Sequence, residues 1–162
     1  MIFRFSAMGD VAMLVPVLRC LYAQNINLRV TLVTRKRFAP IFKEFTALQI
    51  VTPDFANQHK GLKGLYRLYK ELKQRKPHRI ADIHKNLRTA VLRMFFKLSF
   101  TRIKASKGYA ERKRLTHPSK NNEALTPQHY RYVEVFLVWG FRLISTNTNS
   151  HQASSSKVDD GH

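Results

Sequence analysis

The regular alternation of two hydrophobic periods is the feature that most limits the folds open to this chain. Short apolar runs, several rich in β-branched residues, occupy Met1 to Phe5, Leu28 to Thr34, Leu48 to Thr52, Arg79 to His84 and Arg102 to Ser106. Between them apolar residues recur at helical spacing, in Asp10 to Gln24, Phe38 to Phe45, residues 60–75 and Asn86 to Leu98. Strands that alternate with helices in this way predict an α/β fold, a parallel sheet with helices on both faces and right-handed crossovers.

The same spacing names the residues expected to face inward. In the first helix these are Val11, Leu14, Val15, Leu18 and Leu21, and in the short second one Phe38, Ile41, Phe42 and Phe45. In residues 60–75 they are Leu62, Leu65, Tyr66, Tyr69 and Leu72, with Lys60, Lys63, Arg67, Lys70 and Lys73 outward. From Asn86 onward they are Leu87, Ala90, Val91, Met94, Phe95 and Leu98. Pro16 lacks an N–H and crowds the preceding turn, so it predicts a kink or a shifted start in the first helix. A basic loop, Lys107 to Asn122, precedes a last helix over Thr126 to Phe141, with Tyr130, Val133, Leu137 and Phe141 inward. Residues 1–143 read as one domain, and the polar tail 144–162 reads as disordered.

Charge bounds the partners. Lys and Arg number 29 against 10 acids, a formal net charge of +19. A field of that sign attracts nucleic acid, an anionic membrane face or phosphorylated ligands alike. The aromatics sit at core spacing and do not alternate with basic residues on a strand, so nucleic acid is not expected as a partner. A basic helix face such as that of residues 60–75 is usually only solvated, and a membrane-surface role is its chief alternative. No apolar run is long enough to span a bilayer. The start of the sequence lacks the pattern of a secretory signal, so a cytoplasmic location is expected, peripheral on the inner face of a membrane. The single Cys20 excludes an internal disulfide and reads as a buried structural thiol.

In parallel sheets ligands bind at the carboxyl ends of the strands. That edge is expected to carry Ser6 to Asp10, Arg35 to Arg37, Asp82 to Asn86 and Lys107 to Arg114. Gly9 lets the chain turn sharply between the first strand and helix. Two carboxylates, Asp10 and Asp82, then face a rim of Arg and Lys. Such a rim suits a ligand bearing phosphates and one hydroxyl that needs activation: cations hold the phosphates and a carboxylate takes the proton. Spacing alone favours the plainer reading of Asp10 as a helix N-cap.

Other chemistries find little support. His78 and His84 lack the helical spacing of a zinc protease, and His117, His129 and His151 are too scattered for a ligand set, so no metal is assigned. No GK[ST] phosphate loop occurs, and Ser6 lacks the G-x-S-x-G context of a hydrolase.

At Arg4-Phe5-Ser6, Met8-Gly9-Asp10-Val11, Pro16 and Leu18-Arg19 the chain resembles glycosyltransferase family 9, the heptosyltransferases of lipopolysaccharide core assembly. Ala81-Asp82-Ile83-His84 with Asn86-Leu87-Arg88 resembles that family's A-D-L-H-x-N-L-R stretch. Lys107-Gly108-Tyr109 with Lys113-Arg114, and His129 to Tyr132 ahead of Gly140, resemble two later segments. The resemblance implies the Rossmann-like amino-terminal half of a two-domain GT-B enzyme. That half binds a phosphorylated glycolipid acceptor, and the other half binds a nucleotide sugar such as ADP-heptose. Transfer inverts the anomeric centre, without a metal or other cofactor. On this resemblance Asp10 becomes the base that deprotonates the acceptor hydroxyl. Ser6, Gly9, Arg35, Lys36, Arg37, Lys60, Asp82, His84, Asn86 and Arg88 become candidates for binding the acceptor.

One departure is large, because the sequence stops where the donor-binding domain is expected to begin. The chain is then either truncated or completed by a separate donor-binding chain, and alone it is expected to transfer little or no sugar. The alternative is a basic module without catalysis that binds nucleic acid or anionic membrane.

Overall fold

The computed structural model describes residues 1–25, 27–99 and 101–105, together with Tyr132, Val135 and Phe136. Five parallel strands form one sheet in the order β3-β2-β1-β4-β5. They are β1 (Ile2–Phe3), β2 (Val30–Val33), β3 (Leu48–Val51), β4 (Arg79–Asp82) and β5 (Arg102–Ala105). Register is set by the pairs Ile2–Leu32, Ile2–Ala81, Val30–Leu48 and Arg79–Arg102. The α/β reading of the sequence holds: the five expected strands form one parallel sheet with helices between them.

Successive strand residues point to opposite faces, so each strand feeds two cores. Ile2, Val30, Leu32 and Ala81 pack with Val11, Leu14, Leu18, Leu21, Phe38 and Phe42. Tyr132, Val135 and Phe136 join that face. Phe3, Val33 and Ile80 pack on the other face with Leu65, Leu68, Leu72, Leu92 and Phe96. Cys20 is only partly covered, not buried as expected.

The first helix is two. A short α1 (Met8–Ala12) ends at Met13, and α2 (Leu14–Gln24) starts afresh. Pro16 explains the break. In one continuous helix it would have to donate to the carbonyl of Ala12, which it cannot do. Restarting at Leu14 puts Pro16 in the first turn, where backbone N–H groups have no helical partner anyway. The second expected helix is a 3₁₀ helix, Lys36–Phe42, interrupted by Pro40.

Two inner faces differ from the expected ones. In α3 (Gly61–Lys73) the buried stripe is Leu65, Leu68, Tyr69 and Leu72, while Leu62 and Tyr66 are exposed. Gly64 lies so close to the His59 backbone that an added Cβ would stand 2.3 Å from its carbonyl carbon. That approach fixes the rotation of the helix. In α4 (Leu87–Lys97) Thr89, Leu92 and Phe96 are buried, and Leu87, Met94 and Leu98 are exposed. The choice follows from contacts that spacing does not reveal. Phe96 meets Phe3 and Tyr69 at 6.4 and 4.9 Å, and Arg93 reaches Asp82 at the end of β4. With that side turned to the sheet, Val91 and Phe95 of the expected stripe lie at the margin of the core and Leu87, Met94 and Leu98 face out.

Of the last expected helix only Tyr132, Val135 and Phe136 are described, and all are buried. Tyr130, Val133, Leu137, Phe141, the basic loop and the tail lie outside the described residues. Among the described residues no helix is long and apolar enough to cross a membrane.

Candidate functional site

The carboxyl edge of the sheet collects the amino ends of α1, the 3₁₀ helix, α3 and α4, because each follows a strand. Helix amino ends carry partial positive charge and unpaired N–H groups, which favour anions. Arg4, Arg35, Lys36, Arg37, Lys60, Lys85 and Arg88 add full charges near the same edge.

Asp10 stands in the first turn of α1, but it is not the N-cap expected from spacing. The cap position is Ala7, which has no side-chain acceptor. Three residues on, the Asp10 carboxylate accepts the Ala7 N–H through Oδ2 at 3.4 Å. The same oxygen pairs with Arg4 Nη2. Arg4 is itself buried and donates to the carbonyl of Ile83, just past β4. Its guanidinium lies 5.6 Å from the centre of the Tyr132 ring, and the Tyr132 hydroxyl donates to the Asp10 carbonyl at 3.2 Å. A cation on a buried stem, a ring and a backbone hydrogen bond thus hold a carboxylate that is 39% exposed. Among the described residues Asp10 Oδ1 has no hydrogen bond, so it is free to accept one from a ligand hydroxyl. Neither Arg4 nor Tyr132 was singled out as a site residue from the sequence, although both stand inside the quoted motifs.

Asp82 does not face the rim as expected. It is fully buried, and its Oδ1 accepts the N–H groups of His84 and Lys85 at 3.1 and 3.0 Å. Arg93 Nε lies 3.0 Å from Oδ2, close enough to pair charges though not aligned for a hydrogen bond. Asp82 therefore shapes the turn after β4, in which Lys85 takes a left-handed φ of 52°. Burial, then the Arg93 charge, lowers the Lys85 pKa, against the pull of Asp82. Asn86 is likewise occupied. Its Oδ1 accepts the Thr89 N–H at 2.9 Å, and Thr89 Oγ1 accepts the Asn86 N–H at 3.0 Å, a reciprocal cap on α4.

His84 is half-buried, edge-on to Phe5 at 5.2 Å. Burial lowers its pKa first, and the charges of Arg4 and Arg35 lower it further, against Asp82 and a backbone hydrogen bond with Ser6. The ring is then neutral at neutral pH and can offer a ligand a hydrogen bond but no charge. By NMR, the His84 titration midpoint is expected below 6.5, the ordinary value. Arg35→Ala should raise it only part of the way back, because burial is the larger cause. A midpoint at or above the ordinary value would contradict this environment.

Ser6 is half-buried beside His84, and Gly9 is exposed, with open space where a Cβ would stand. Arg35 is half-buried, and among the described residues its Nε has no hydrogen-bond partner, while Lys36 and Arg37 are exposed. Arg37 lies over the Phe38 ring at 4.7 Å, and Arg88 lies over Phe55 at 5.1 Å. Lys60 is exposed at the N-cap of α3. The edge thus brings Ser6, Gly9, Asp10, Arg35, His84 and Arg88 to neighbouring turns, and uses Asp82 and Asn86 to build them.

A cavity of about 850 Å³ lies at the opposite, amino edge, among Met1, Asn27, Arg29, Gln49, Arg75 and Arg79. The carboxyl ends of α2 and α3 lie at that edge and carry partial negative charge, which the nearby Arg and Lys offset.

Two solved structures share this fold. A glycosyl transferase family 9 structure from Veillonella parvula matches 87% of this chain and 41% of its own, with a TM-score of 0.60 and 15% identity. E. coli heptosyltransferase WaaC with ADP matches 90% of this chain and 48% of its own, with a TM-score of 0.58 and 16% identity. The chain shares its fold with family 9 glycosyltransferases. At these identities the likeness establishes the fold, as the motifs implied, and this chain spans less than half the length of either structure. No family model matches the chain, and no curated protein matches it by sequence. In this fold Asp10 follows the carboxyl end of the central strand β1.

Proposed function

We propose that residues 1–143 form the acceptor-binding part of an inverting glycosyltransferase of the heptosyltransferase kind, acting in lipopolysaccharide core synthesis. The observation that carries this reading is the placement of Asp10. It follows the central strand, is braced by buried Arg4, and has one carboxylate oxygen uncommitted among the described residues. In the proposed reaction that oxygen takes the acceptor hydroxyl proton as the hydroxyl attacks the anomeric carbon of a nucleotide sugar such as ADP-heptose. Arg35, Lys36, Arg37, Lys60 and Arg88 hold acceptor phosphates, and neutral His84 and Ser6 orient the sugar. Groups for the departing nucleotide are assigned to a donor-binding domain or chain. The acceptor is a phosphorylated glycolipid, which places the protein at the cytoplasmic face of a bacterial inner membrane.

The test is a titration of the labelled chain with a soluble phosphorylated core sugar, followed by NMR. Shifts are expected at Ser6 to Asp10 and Ile83 to Arg88. Shifts confined to Asn27 to Thr31 and Gln74 to Arg79 would move the site to the amino edge and overturn the reading. Residues 1–143 by themselves should transfer no detectable heptose, and measurable transfer by that piece would overturn the assignment of the donor site elsewhere.

A further inference from the structure

The flank shared by α3 and α4 carries an apolar surface that the acceptor site does not use. On α3, Leu62 is 68% exposed and Tyr66 46%; on α4, Leu87 is 82% exposed, Met94 54% and Leu98 75%. These residues belong to one patch. Tyr66 and Phe95 meet edge to face at 5.5 Å, and the Tyr69 hydroxyl hydrogen-bonds Ser99, so the two helices turn these sides toward each other. From Leu87 to Leu98 the stripe runs roughly 16 Å along α4, at the helical rise per residue.

Charge surrounds the patch. Residues 60–98 hold 12 Lys and Arg against two acids. Of those acids Asp82 is buried against Arg93, and Glu71 pairs with His59 at 3.3 Å. Lys63, Arg67, Lys70 and Lys73 are exposed along α3, and Arg88 and Lys97 along α4. Lys70 lies over the Tyr66 ring at 4.9 Å, so cation and aromatic meet at the rim of the patch. Apolar side chains in the middle, an aromatic at the edge and almost unopposed positive charge around them suit an interfacial surface. A water-soluble partner would have to match both the apolar stripe and the excess of cations.

We propose that the α3–α4 flank docks on an anionic bilayer, with Leu62, Leu87, Met94 and Leu98 entering the headgroup boundary. The proposal rests on the lipid-borne acceptor inferred above and gives it a geometry. The amino ends of α3 and α4 stand at the carboxyl edge of the sheet, so the docked stripe begins beside the turns that carry Asp10 and Arg88. An acceptor headgroup could then enter the site while its acyl chains stay in the bilayer.

The test is cosedimentation of the full chain with vesicles of phosphatidylcholine and phosphatidylglycerol in equal parts, and with phosphatidylcholine alone. Binding is expected to the first and little to the second, and it should weaken at ~0.5 M salt, where screening shortens the reach of the charges. A triple variant, Leu87→Ser with Met94→Ser and Leu98→Ser, should lose about tenfold or more in vesicle affinity. Its circular dichroism should not change, because all three side chains are exposed. A second variant, Lys63→Glu with Lys70→Glu, should lose binding without touching the apolar stripe. Undiminished sedimentation of both variants would overturn the proposal. So would a wild-type chain that ignores vesicles but dimerises, with the triple variant monomeric, for the stripe would then be a self-association face. These vesicles contain no acceptor, and the soluble core sugar needs no membrane, so either reading can fail without the other.

Discussion

In a protein supplied with a donor-binding domain, Asp10→Asn is expected to lower turnover by a factor of ~10² to 10⁴ and leave acceptor affinity nearly unchanged. The amide keeps the size of the carboxylate and can still accept from Arg4 and from the Ala7 N–H. It cannot take a proton from the acceptor hydroxyl. A loss confined to kcat therefore reports the missing base, and steady-state kinetics alongside a melting curve separate the outcomes. If the variant melts earlier but turns over normally per folded molecule, Asp10 only anchors Arg4 and its helix. Arg4→Met is the informative companion. Removing the cation takes away the brace on Asp10 Oδ2 and the donor to the Ile83 carbonyl together. Turnover and stability should therefore fall together in Arg4→Met, whereas in Asp10→Asn turnover falls far more than stability.

Asp82→Ala is expected to destabilise the fold by about 3–5 kcal/mol, the cost of breaking a buried ion pair from one side. The methyl group abandons the N–H groups of His84 and Lys85 and leaves the Arg93 guanidinium without its counter-charge beside β4. Since β4 pairs with both β1 and β5, the damage falls on the middle of the sheet. Denaturant unfolding reads the effect directly. Unchanged stability with weakened acceptor binding would return Asp82 to the ligand-contacting set and refute its role in holding the turn.

The sheet was legible in the sequence because strand and helix leave different periods, and five alternations left one class of fold. Helix rotation was not. On α4 the helix is turned so that Leu92 and Phe96 lead inward and Leu87, Met94 and Leu98 of the expected stripe stay outside, because Arg93 must reach Asp82 and Phe96 must fill the space between Phe3 and Tyr69. Those partners are remote in sequence, so no local pattern contains them. The break at Met13 was half visible, since Pro16 announced a disturbance without saying on which side of Asp10 the helix would start. Of the expected site residues, Asp10 and the edge basics could be placed by topology alone. The burial of Asp82 and the capping role of Asn86 depend on hydrogen bonds made within three residues, which motif spacing cannot tell from contacts to a ligand. Arg4 was hidden for the opposite reason. A cation inside an apolar strand looks like an exception to the pattern until the carboxylate it serves is located.

The hydrogen bond from Tyr132 to the Asp10 carbonyl joins residues 122 apart in the chain. On a ribosome working at typical speed, Asp10 is made roughly 6 to 24 s before Tyr132. Within that interval β2 and then β3 are made, so β1 can pair with β2 and β2 with β3, but the ring that covers the Arg4 guanidinium does not yet exist. The corner around Asp10 is therefore among the last parts of the nascent domain to be finished, although Arg4 and Asp10 are among the first residues translated. A release of the chain before Tyr132 would yield most of the sheet with its proposed base still unsupported on one side.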